Sequence, residues 1–391
     1  MKTTNEKLNI MRSTLKDRNA RIMIIGLGSV GNYLLDYLLS AADERMDIYV
    51  VGRDEYKMQS DVNIAKIASM IRGKNRSRVS IISNVDLVDV ASITNALQKF
   101  QPDIIVNSSR AYPGLKYGSI SWGSIRAYGL WAPLAVRFTK NIMKAYEQAM
   151  SDAIVINTSY SDAIIPWLKT AGKAYPDFGS GNINHLIPRI KFAVAEEFHI
   201  NDPWNIDITF AVSHFHDVVI SKEGHSEGVD MLIDIRYQGK ELDIDINRIF
   251  SQCCIPMPTD AKRNQMNASS NFEIIEAVLS AVRDRKKRKL HCPGVFGEIG
   301  GYPVIVDGQT GDVKTYICED YFPLETMRKK NRESIYLDGI ENVEDGTLTY
   351  TDELITKVKQ SFGVNLEKKV KFDDIDHTAS FIIREIIERN S

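Results

Sequence analysis

The chain has 391 residues, of which 43% are hydrophobic and 26% are charged. This length is enough for two or three domains, and the apolar content allows each a sizeable core. The formal net charge of −2 argues against a dedicated nucleic-acid-binding protein, which would usually carry a basic excess.

Cysteine usage and hydropathy favour a cytoplasmic protein. The four cysteines, Cys253, Cys254, Cys292 and Cys318, include no C-x-x-C pair, so neither a metal site nor a disulfide framework is predicted. Reduced thiols fit a cytosolic protein. The first twenty residues lack the apolar core of a signal peptide, and no apolar run reaches the roughly 18 residues of a membrane span. We therefore expect neither a membrane nor a nucleic acid as partner.

Strand and helix patterns alternate through the first part of the chain. Residues 1–20 are predicted to form a polar, partly helical arm. Residues 21–160 contain short β-rich runs separated mostly by helical segments, as at 30–39 and 93–100. This alternation indicates a parallel sheet with helices on both faces. The predicted strands are RIMIIG (21–26), DIYVVG (47–52), VSIIS (79–83), DIIVNS (103–108) and AIVINT (153–158).

Residues 161–391 are predicted to form a second, α+β domain. The patterns at 205–216 and 229–246 indicate antiparallel strands, the latter with a Gln-Gly turn. A long helix is predicted from about 271 to 285, and the basic run at 283–289 is interpreted as its solvated end. Two further strands and a last helical region, beginning near Thr351, follow.

A glycine turn joins the first predicted strand to the first predicted helix. Gly26, Gly28 and Gly31 form G-x-G-x-x-G in the strand–turn–helix context that a dinucleotide-binding motif requires. The first glycine permits the turn, the second lets a pyrophosphate approach the backbone, and the third lets helix and strand pack closely. The helix start at Ser29 and Val30 offers free N–H groups and a positive dipole end to phosphates. These residues predict a Rossmann-type domain that binds a dinucleotide.

The end of the second strand bears on which dinucleotide is bound. An NAD-binding protein usually places an acid there to hold the ribose 2′-hydroxyl, but here Gly52 and Arg53 stand at this point. A guanidinium can bind a 2′-phosphate bidentately, which favours NADP. The alternative is NAD, with Asp54 doing the work of the acid two residues later.

Several later stretches, in the right order, resemble the lactate/malate dehydrogenase superfamily. FGSGNINHLIPRIKFAVAEEFHI (178–200) is similar to the family's Gly-x-Gly, acid, Arg and helix, with Arg189 in the place of the carboxylate-binding arginine. The acid that orients the catalytic histidine is missing, and Asn184 or His185 stands near its place. FAVSHFHDVVIS (210–221) resembles the strand that delivers that histidine, and either His214 or His216 aligns with it.

The same resemblance implies further site residues. DIIVNSSRAYPGLKYG (103–118) is similar to the fourth strand and mobile loop, with Arg110 near the first of two substrate-binding arginines. The second has no clear counterpart, and Lys116, Tyr117 and Arg126 are the alternatives. Asn157 matches the asparagine that touches cofactor and substrate, and Asn107, ending the fourth strand, is a further cofactor candidate. In a helix start near 267–282, the resemblance also makes the serines at 269 and 270 candidates.

Hydride transfer to a ketone needs a proton donor and a cation to hold an anionic substrate. Histidine supplies the proton because its ordinary pKa is near neutral, and arginine binds a carboxylate through two contacts. On a strand, His214 and His216 would share one face, with Asp217 on the other. His185 cannot replace a carboxylate beside His214, because two imidazoles disfavour double protonation.

The sequence thus predicts a lactate/malate dehydrogenase-like α/β fold and an NAD(P)-dependent oxidoreductase acting on a small anionic 2-hydroxy or 2-oxo compound. The departures at the acid and the arginine loop predict a substrate other than lactate or malate. One alternative is a Rossmann protein that binds a dinucleotide without turnover. The other is an NAD-dependent glycosidase-like enzyme, for which Cys292 and the histidines do not show the required metal-binding pattern. The resemblance also implies a homodimer or homotetramer.

Overall fold

The computed structural model describes residues 2–258 and 260–390. Helices and strands alternate as predicted through the first half of the described chain, and the later strands pair antiparallel. Short π-helical turns at Ser121–Ile125 and Ile383–Ile387 extend two of the helices. The α-helices are α1 Thr4–Thr14, α2 Ser29–Ser40, α3 Glu55–Ile71, α4 Val90–Phe100, α5 Gly114–Ile120, α6 Ala132–Gln148, α7 Ser161–Thr170, α8 Asn182–Glu197, α9 His214–Glu223, α10 Ile246–Gln252, α11 Asn264–Asp284, α12 Leu324–Leu337, α13 Asp352–Phe362 and α14 Ile375–Ile382.

The strands form one parallel sheet and three small antiparallel sheets. The parallel sheet has the order β3-β2-β1-β4-β5-β6, so the chain reverses its direction across the sheet between β1 and β4. The strands are β1 Ala20–Ile25, β2 Met46–Val51, β3 Arg78–Ile82, β4 Ile104–Asn107, β5 Ile154–Asn157, β6 Phe178–Gly179, β7 Ile206–Ala211, β8 Leu232–Tyr237, β9 Lys240–Glu241, β10 Lys287–Pro293, β11 Gly301–Asp307, β12 Lys314–Ile317, β13 Ile340–Glu344, β14 Thr347–Tyr350 and β15 Lys369–Lys371.

Both faces of the parallel sheet are buried. Along β1, Ile22 and Ile24 enter one apolar cluster, whereas Met23 and Ile25 enter the other. Strands buried on both faces must be apolar throughout, which explains why the runs were recognisable in the sequence. The five predicted parallel strands and the mixed α/β fold are confirmed.

The ends of the parallel strands align at one edge. Ile25 pairs with Val51 and with Asn107, and Asn107 pairs with Asn157. The segments that follow these strands therefore meet at the carboxyl edge of the sheet, beside the point where strand order reverses. Ligands of open α/β sheets bind at such a point.

Two of the predicted elements are corrected. The strand predicted at 205–216 ends at Ala211, and His214 begins helix α9 with Ser213 as its N-cap residue. The basic run at 283–289 is not one helix end, because α11 ends at Asp284 and Lys287 begins strand β10. The predicted Gln-Gly turn does join β8 to β9, with positive φ at both residues.

The first twenty residues, predicted to form a polar, partly helical arm, include helix α1. Helix α1 buries Leu8 and Met11 in the apolar cluster that covers one face of the sheet. Lys7 is also buried and forms an ion pair with Asp177, just before β6. No helix in the described parts of the chain has the length and hydropathy to cross a membrane.

Candidate active site

The three glycines of the turn differ in what surrounds them. Gly26 has a φ of +91°, which disfavours a side chain. A Cβ at Gly31 would lie 2.3 Å from the carbonyl oxygen of Gly26, so only glycine lets α2 pack this closely on β1. A Cβ at Gly28 would meet nothing within 4 Å. Open space thus lies beside Gly28, where α2 begins without a side-chain cap.

We expect the substitution Gly31→Ala to destabilise the fold by about 1–3 kcal/mol, because the new methyl group overpacks a rigid backbone contact. Gly28→Ala is the matched control, and its cost should stay below about 1 kcal/mol, mainly through a weaker helix cap. Urea unfolding of both variants measures this difference, provided that the slope of the unfolding free energy against urea concentration is unchanged. Equal destabilisation would contradict the packing role of Gly31.

The end of β2 leaves a free arginine. Arg53 is exposed, and its side chain makes no hydrogen bond or ion pair with the described residues. Asp54 caps α3 by accepting a hydrogen bond from the backbone N–H of Lys57 at 3.0 Å. A Cβ at Gly52 would lie 2.8 Å from the sulfur of Met58, so an acid at this position would displace that side chain.

The asparagines that end β4 and β5 face each other inside the protein. Asn107 Nδ2 donates to Asn157 Oδ1 at 3.0 Å, and Thr139 donates to the same oxygen at 3.1 Å. The Asn157 amide nitrogen donates to the Ser159 carbonyl and to Ser161 Oγ. Asn157 is fully buried and Asn107 nearly so. Their side chains are thus fully used within the protein, so any contact from here to a ligand is left to the backbone and neighbouring residues.

His214 is paired with an acid that the sequence analysis missed. Its Nδ1 lies 2.8 Å from Oδ2 of Asp338, the residue that follows α12. The same carboxylate accepts hydrogen bonds from the Tyr160 hydroxyl and the Tyr128 backbone N–H, both at 2.7 Å. Asp338 is fully buried, whereas 12% of the His214 side chain is exposed. Nδ1 is therefore fixed, and Nε2 is left to act on a ligand.

The surroundings raise the pKa of His214. Burial lowers this pKa, but the charge of Asp338, the hydrogen bond to it and the nearby carboxylates of Asp162 and Asp217 raise it by more. Asp162 accepts a hydrogen bond from the His214 backbone N–H and one from Asn182. Burial raises the pKa of Asp162 to about 6, against the opposing effects of His214 and Asn182.

His216 lies in a different environment. Nδ1 lies 2.7 Å from Ser334 Oγ, and Nε2 lies 2.7 Å from the carbonyl oxygen of Glu227. Its side chain is fully buried, and burial lowers its pKa. Residues two apart on a helix do not share a face, so the expectation that His214 and His216 point the same way is wrong. His214 is the better placed of the two for proton transfer.

Arg189 and Arg110 differ in whether their guanidinium groups are held inside the protein. Arg189 is buried, and its terminal nitrogens are held by the Cys253 carbonyl at 2.9 Å and the Met257 sulfur at 3.1 Å. Its Nε has no hydrogen-bond partner among the described residues. A two-point grip on a carboxylate therefore does not fit Arg189 as placed. Arg110 is exposed, with its guanidinium folded over Gly114.

The three alternatives for the second substrate-binding arginine of the loop lie in different surroundings. Arg126 is bound by Glu223 and Glu227, and these two hydrogen-bonded carboxylates raise its pKa. Lys116 is exposed, and Tyr117 stacks at a tilt on Trp131 with 4.9 Å between ring centroids.

The alternatives for the missing acid and the serine pair lie around the starts of α8 and α11. Asn184 is hydrogen-bonded to Glu273, and burial, aided by Arg263 and Arg189, lowers the pKa of His185 to about 4. Ser270 accepts a hydrogen bond from the Gly181 backbone at 2.9 Å, while Ser269 is exposed.

Arg263 is a second residue that the sequence analysis missed. It directly precedes α11, whose first residue, Asn264, donates to Ser29 Oγ of the glycine turn at 2.5 Å. The charge of Arg263 contributes to lowering the pKa of His185 and opposes the burial-driven rise in the pKa of Asp217. No carboxylate of the described residues pairs with it. Among the described residues its guanidinium is unpaired, and it is next in sequence to the residue that contacts the glycine turn.

Comparison with known proteins supports the fold. No protein-family model matches the chain, and no curated protein matches its sequence. Solved malate and lactate dehydrogenases are structurally similar over four-fifths of the chain. The chain thus has the lactate/malate dehydrogenase fold, as the sequence resemblance implied.

Three of these structures give the extent of the similarity. Malate dehydrogenase from Cryptosporidium parvum is 14% identical, with 82% of this chain and 98% of that chain covered and a TM-score of 0.54. The Aeropyrum pernix malate dehydrogenase is 14% identical, with 80% and 94% covered and a TM-score of 0.53. Lactate dehydrogenase from Cryptosporidium parvum, solved with lactic acid and β-nicotinamide adenine dinucleotide, is 17% identical, with 82% and 98% covered and a TM-score of 0.52.

Proposed function

We propose that this protein is a divergent oxidoreductase of the lactate/malate dehydrogenase superfamily. It transfers a hydride between a nicotinamide cofactor, with NADP favoured over NAD, and a small anionic 2-oxo or 2-hydroxy compound. The observation that carries the proposal is the pairing of His214 with Asp338 at the carboxyl edge of a sheet that also carries the glycine turn. Assembly as a homodimer or homotetramer remains a prediction.

The residues of the turn fit a dinucleotide. The backbone at Gly28 is open, since a Cβ there would meet nothing within 4 Å, and the first N–H groups of α2, at Ser29, Val30 and Gly31, would offer a pyrophosphate the positive end of the helix dipole. Arg53 would hold a 2′-phosphate, since no described residue competes for its guanidinium. Asp54 is the weaker candidate for a ribose contact because its Oδ1 caps α3.

His214 provides the proton. The nicotinamide ring would supply or accept the hydride. In the direction of reduction, His214 donates one N–H to Asp338 and presents the other, on Nε2, to the substrate's carbonyl oxygen. That contact polarises the carbonyl and then delivers the proton to the forming alkoxide. In the reverse direction, neutral His214 accepts the hydroxyl proton.

Arg263 is the proposed cation for the substrate carboxylate. Both of its terminal nitrogens are free among the described residues, whereas those of Arg189 are bound within the protein. A planar guanidinium with free nitrogens can make the two parallel hydrogen bonds that a carboxylate accepts. Arg110 lies on the loop after β4 and would reach the substrate only if its side chain left Gly114.

Cofactor preference gives the first test. We expect wild-type protein to bind NADPH more tightly than NADH in a fluorescence titration. Arg53→Ala should weaken NADPH binding by about 10- to 100-fold, because it removes charged hydrogen bonds to the phosphate. NADH affinity should change by less than about twofold. The matched control is Arg76→Ala, which removes an exposed arginine before β3, at the opposite edge of the same sheet.

The outcomes also separate the alternatives. Tight NADH binding that is unchanged in Arg53→Ala would contradict the NADP preference but would remain consistent with a dehydrogenase. Nucleotide binding with no turnover of any 2-oxo acid would favour the dinucleotide-binding protein without catalysis, and binding of neither nucleotide would reject the proposal. The glycosidase-like alternative needs a metal-binding thiolate, but Cys292 is fully buried and burial raises its pKa.

A further inference from the structure

Three buried polar atoms on helices α8 and α9 have no hydrogen-bond partner among the described residues. They are Oδ1 of Asp217, Nε of Arg189 and Nε2 of His185. A buried polar atom without a hydrogen bond costs about 1–3 kcal/mol, so such atoms are rare and call for an explanation. Three in one place indicate a site that a polar ligand completes.

Helix geometry brings these atoms together. Asp217 lies one turn after His214 on α9, so the two side chains share a face with roughly 5–6 Å between their Cβ atoms. His185 lies one turn before Arg189 on α8, again on one face. Helices α8 and α9 pack against each other. The guanidinium of Arg189 also reaches the carbonyl of Ser221, one turn beyond Asp217. We name these three side chains, of Asp217, Arg189 and His185, the polar pocket.

The polar pocket offers one donor and two acceptors. Arg189 Nε is an N–H donor, and Asp217 Oδ1 is an acceptor. Burial, first of all, lowers the pKa of His185 to about 4, so its imidazole is neutral near pH 7 and one ring nitrogen carries a lone pair. With the ring proton on Nδ1, this lone pair is on Nε2. No hydrogen bond or ion pair joins Arg189 to Asp217, although each charge shifts the pKa of the other.

A hydroxyl group fits this combination best. It accepts a hydrogen bond from the N–H of Arg189 and donates its own proton to Asp217 or His185. An ammonium group has no lone pair for Arg189 and is repelled by it and by Arg263. A methyl group would leave all three atoms unpaired.

We propose that the substrate is a hydroxylated 2-oxo acid, a sugar-acid-like compound, whose extra hydroxyl group binds in the polar pocket one or two carbons from the carbon that reacts. This inference rests on the proposed oxidoreductase function and deepens it. Arg263 takes the carboxylate, His214 faces the reacting oxygen, and the polar pocket selects for the additional hydroxyl.

The test compares substrates that differ by one hydroxyl group. With NADPH, and in parallel with NADH, the full-length protein is assayed with 3-hydroxy-2-oxopropanoate against 2-oxopropanoate, and with 4-hydroxy-2-oxobutanoate against 2-oxobutanoate. We expect kcat/KM to favour the hydroxylated member of at least one pair by about 100-fold or more, because its absence leaves buried polar groups unpaired. Equal kcat/KM within both pairs would overturn the inference and indicate that ordered water alone occupies the polar pocket. The proposed oxidoreductase function would not be affected by that result.

Substitutions test whether the polar pocket causes the preference for the hydroxylated substrate. Asp217→Ala and His185→Ala should each reduce it to about tenfold or less. His291→Ala is the matched control, because His291 is also a buried imidazole with an unpartnered Nε2 but lies on β10, outside the polar pocket. It should keep the full preference. Loss of the preference in His291→Ala, or its retention in both pocket variants, would contradict the assignment.

A binding measurement separates this inference from the proposed function. Calorimetric titration of the 391-residue chain needs no turnover. It compares 2,3-dihydroxypropanoate with 2-hydroxypropanoate, and 2,4-dihydroxybutanoate with 2-hydroxybutanoate. At least tenfold tighter binding of the dihydroxy member of one pair supports the polar pocket even if no nucleotide binds and no 2-oxo acid is reduced. Equal binding within both pairs overturns it.

Discussion

Replacement of Asp338 by asparagine is expected to lower kcat/KM for 2-oxo acid reduction by about 10²- to 10⁴-fold, the range of a general acid's contribution. Asparagine keeps an acceptor for the Tyr128 N–H but removes the charge that stabilises protonated His214. Asp338 does not touch the substrate in this scheme, so it is a positioning residue. Steady-state kinetics across pH measure the effect.

The pH profile distinguishes positioning from a structural role. Reduction needs protonated His214, so its rate falls as the pH rises through the pKa of this residue. Burial lowers that pKa, and Asp338 is the first of the groups that raise it; without its charge, only the weaker effects of Asp162 and Asp217 oppose burial, so the pKa falls. The descending limb for reduction should therefore move to lower pH in Asp338→Asn, and the ascending limb for oxidation should move the same way. A slower variant with unmoved limbs would contradict the role.

The same pKa shift makes the free energy of unfolding depend on pH. Because folding raises the pKa of His214, the stabilisation it brings is present below the unfolded-state pKa and is lost as the pH rises through the folded-state value. The stability difference between wild type and Asp338→Asn should thus shrink with rising pH. Tyr160→Phe is the control, since it removes one hydrogen bond to Asp338 and leaves the carboxylate and His214 in place.

The Rossmann-type half was predictable from sequence because its signals are local. Parallel strands buried on both faces appear in the sequence as continuous apolar runs, and the glycine pattern of the turn lies between a strand and a helix that are adjacent in sequence. The contact of Gly31 with Gly26 and the open space at Gly28 agree with the predicted roles.

The candidate site was less predictable because its key pair joins distant segments. His214 and Asp338 are 124 positions apart and meet only when α12 packs beside α9. A local signal did exist for α9: Ser213 is a favourable N-cap residue, and Gly224 ends the helix with positive φ. The strand prediction instead continued the β-rich pattern of 205–211 through His216. For Asp338, the Asp-Gly step marks a turn but gives no indication of a carboxylate partner.

The N-terminal segment contains a second buried pair that the sequence alone does not reveal, and this pair bears on stability. Lys7 is 1% exposed, and its Nζ lies 2.9 and 3.0 Å from the two oxygens of Asp177, which is 2% exposed. The carboxylate also accepts hydrogen bonds from Thr4 and from the backbone of Val155 on β5. In sequence, one lysine in a polar stretch cannot be told from its solvated neighbours. In the fold, it attaches α1 to the edge of the sheet.

We expect Lys7→Met to destabilise the protein by about 3–5 kcal/mol, because it leaves the Asp177 carboxylate buried without its cation. Adding Asp177→Asn to this variant should recover much of the loss, since the buried charge is then removed and the neutral amide keeps an acceptor for Val155. Urea unfolding of the wild type, the two single variants and the double variant completes a thermodynamic cycle.

The exposed pair of Lys2 and Asp152 provides the matched control, with side chains 48% and 36% exposed at a distance of 2.5 Å. Lys2→Met should change the unfolding free energy by no more than about 1 kcal/mol, because water screens an exposed pair and holding two long side chains costs entropy. The contrast depends on burial alone, as both lysines lie within the first seven residues and pair with an aspartate. If Lys7→Met cost no more than Lys2→Met, the buried ion pair of helix α1 would contribute little to the stability of the fold in solution.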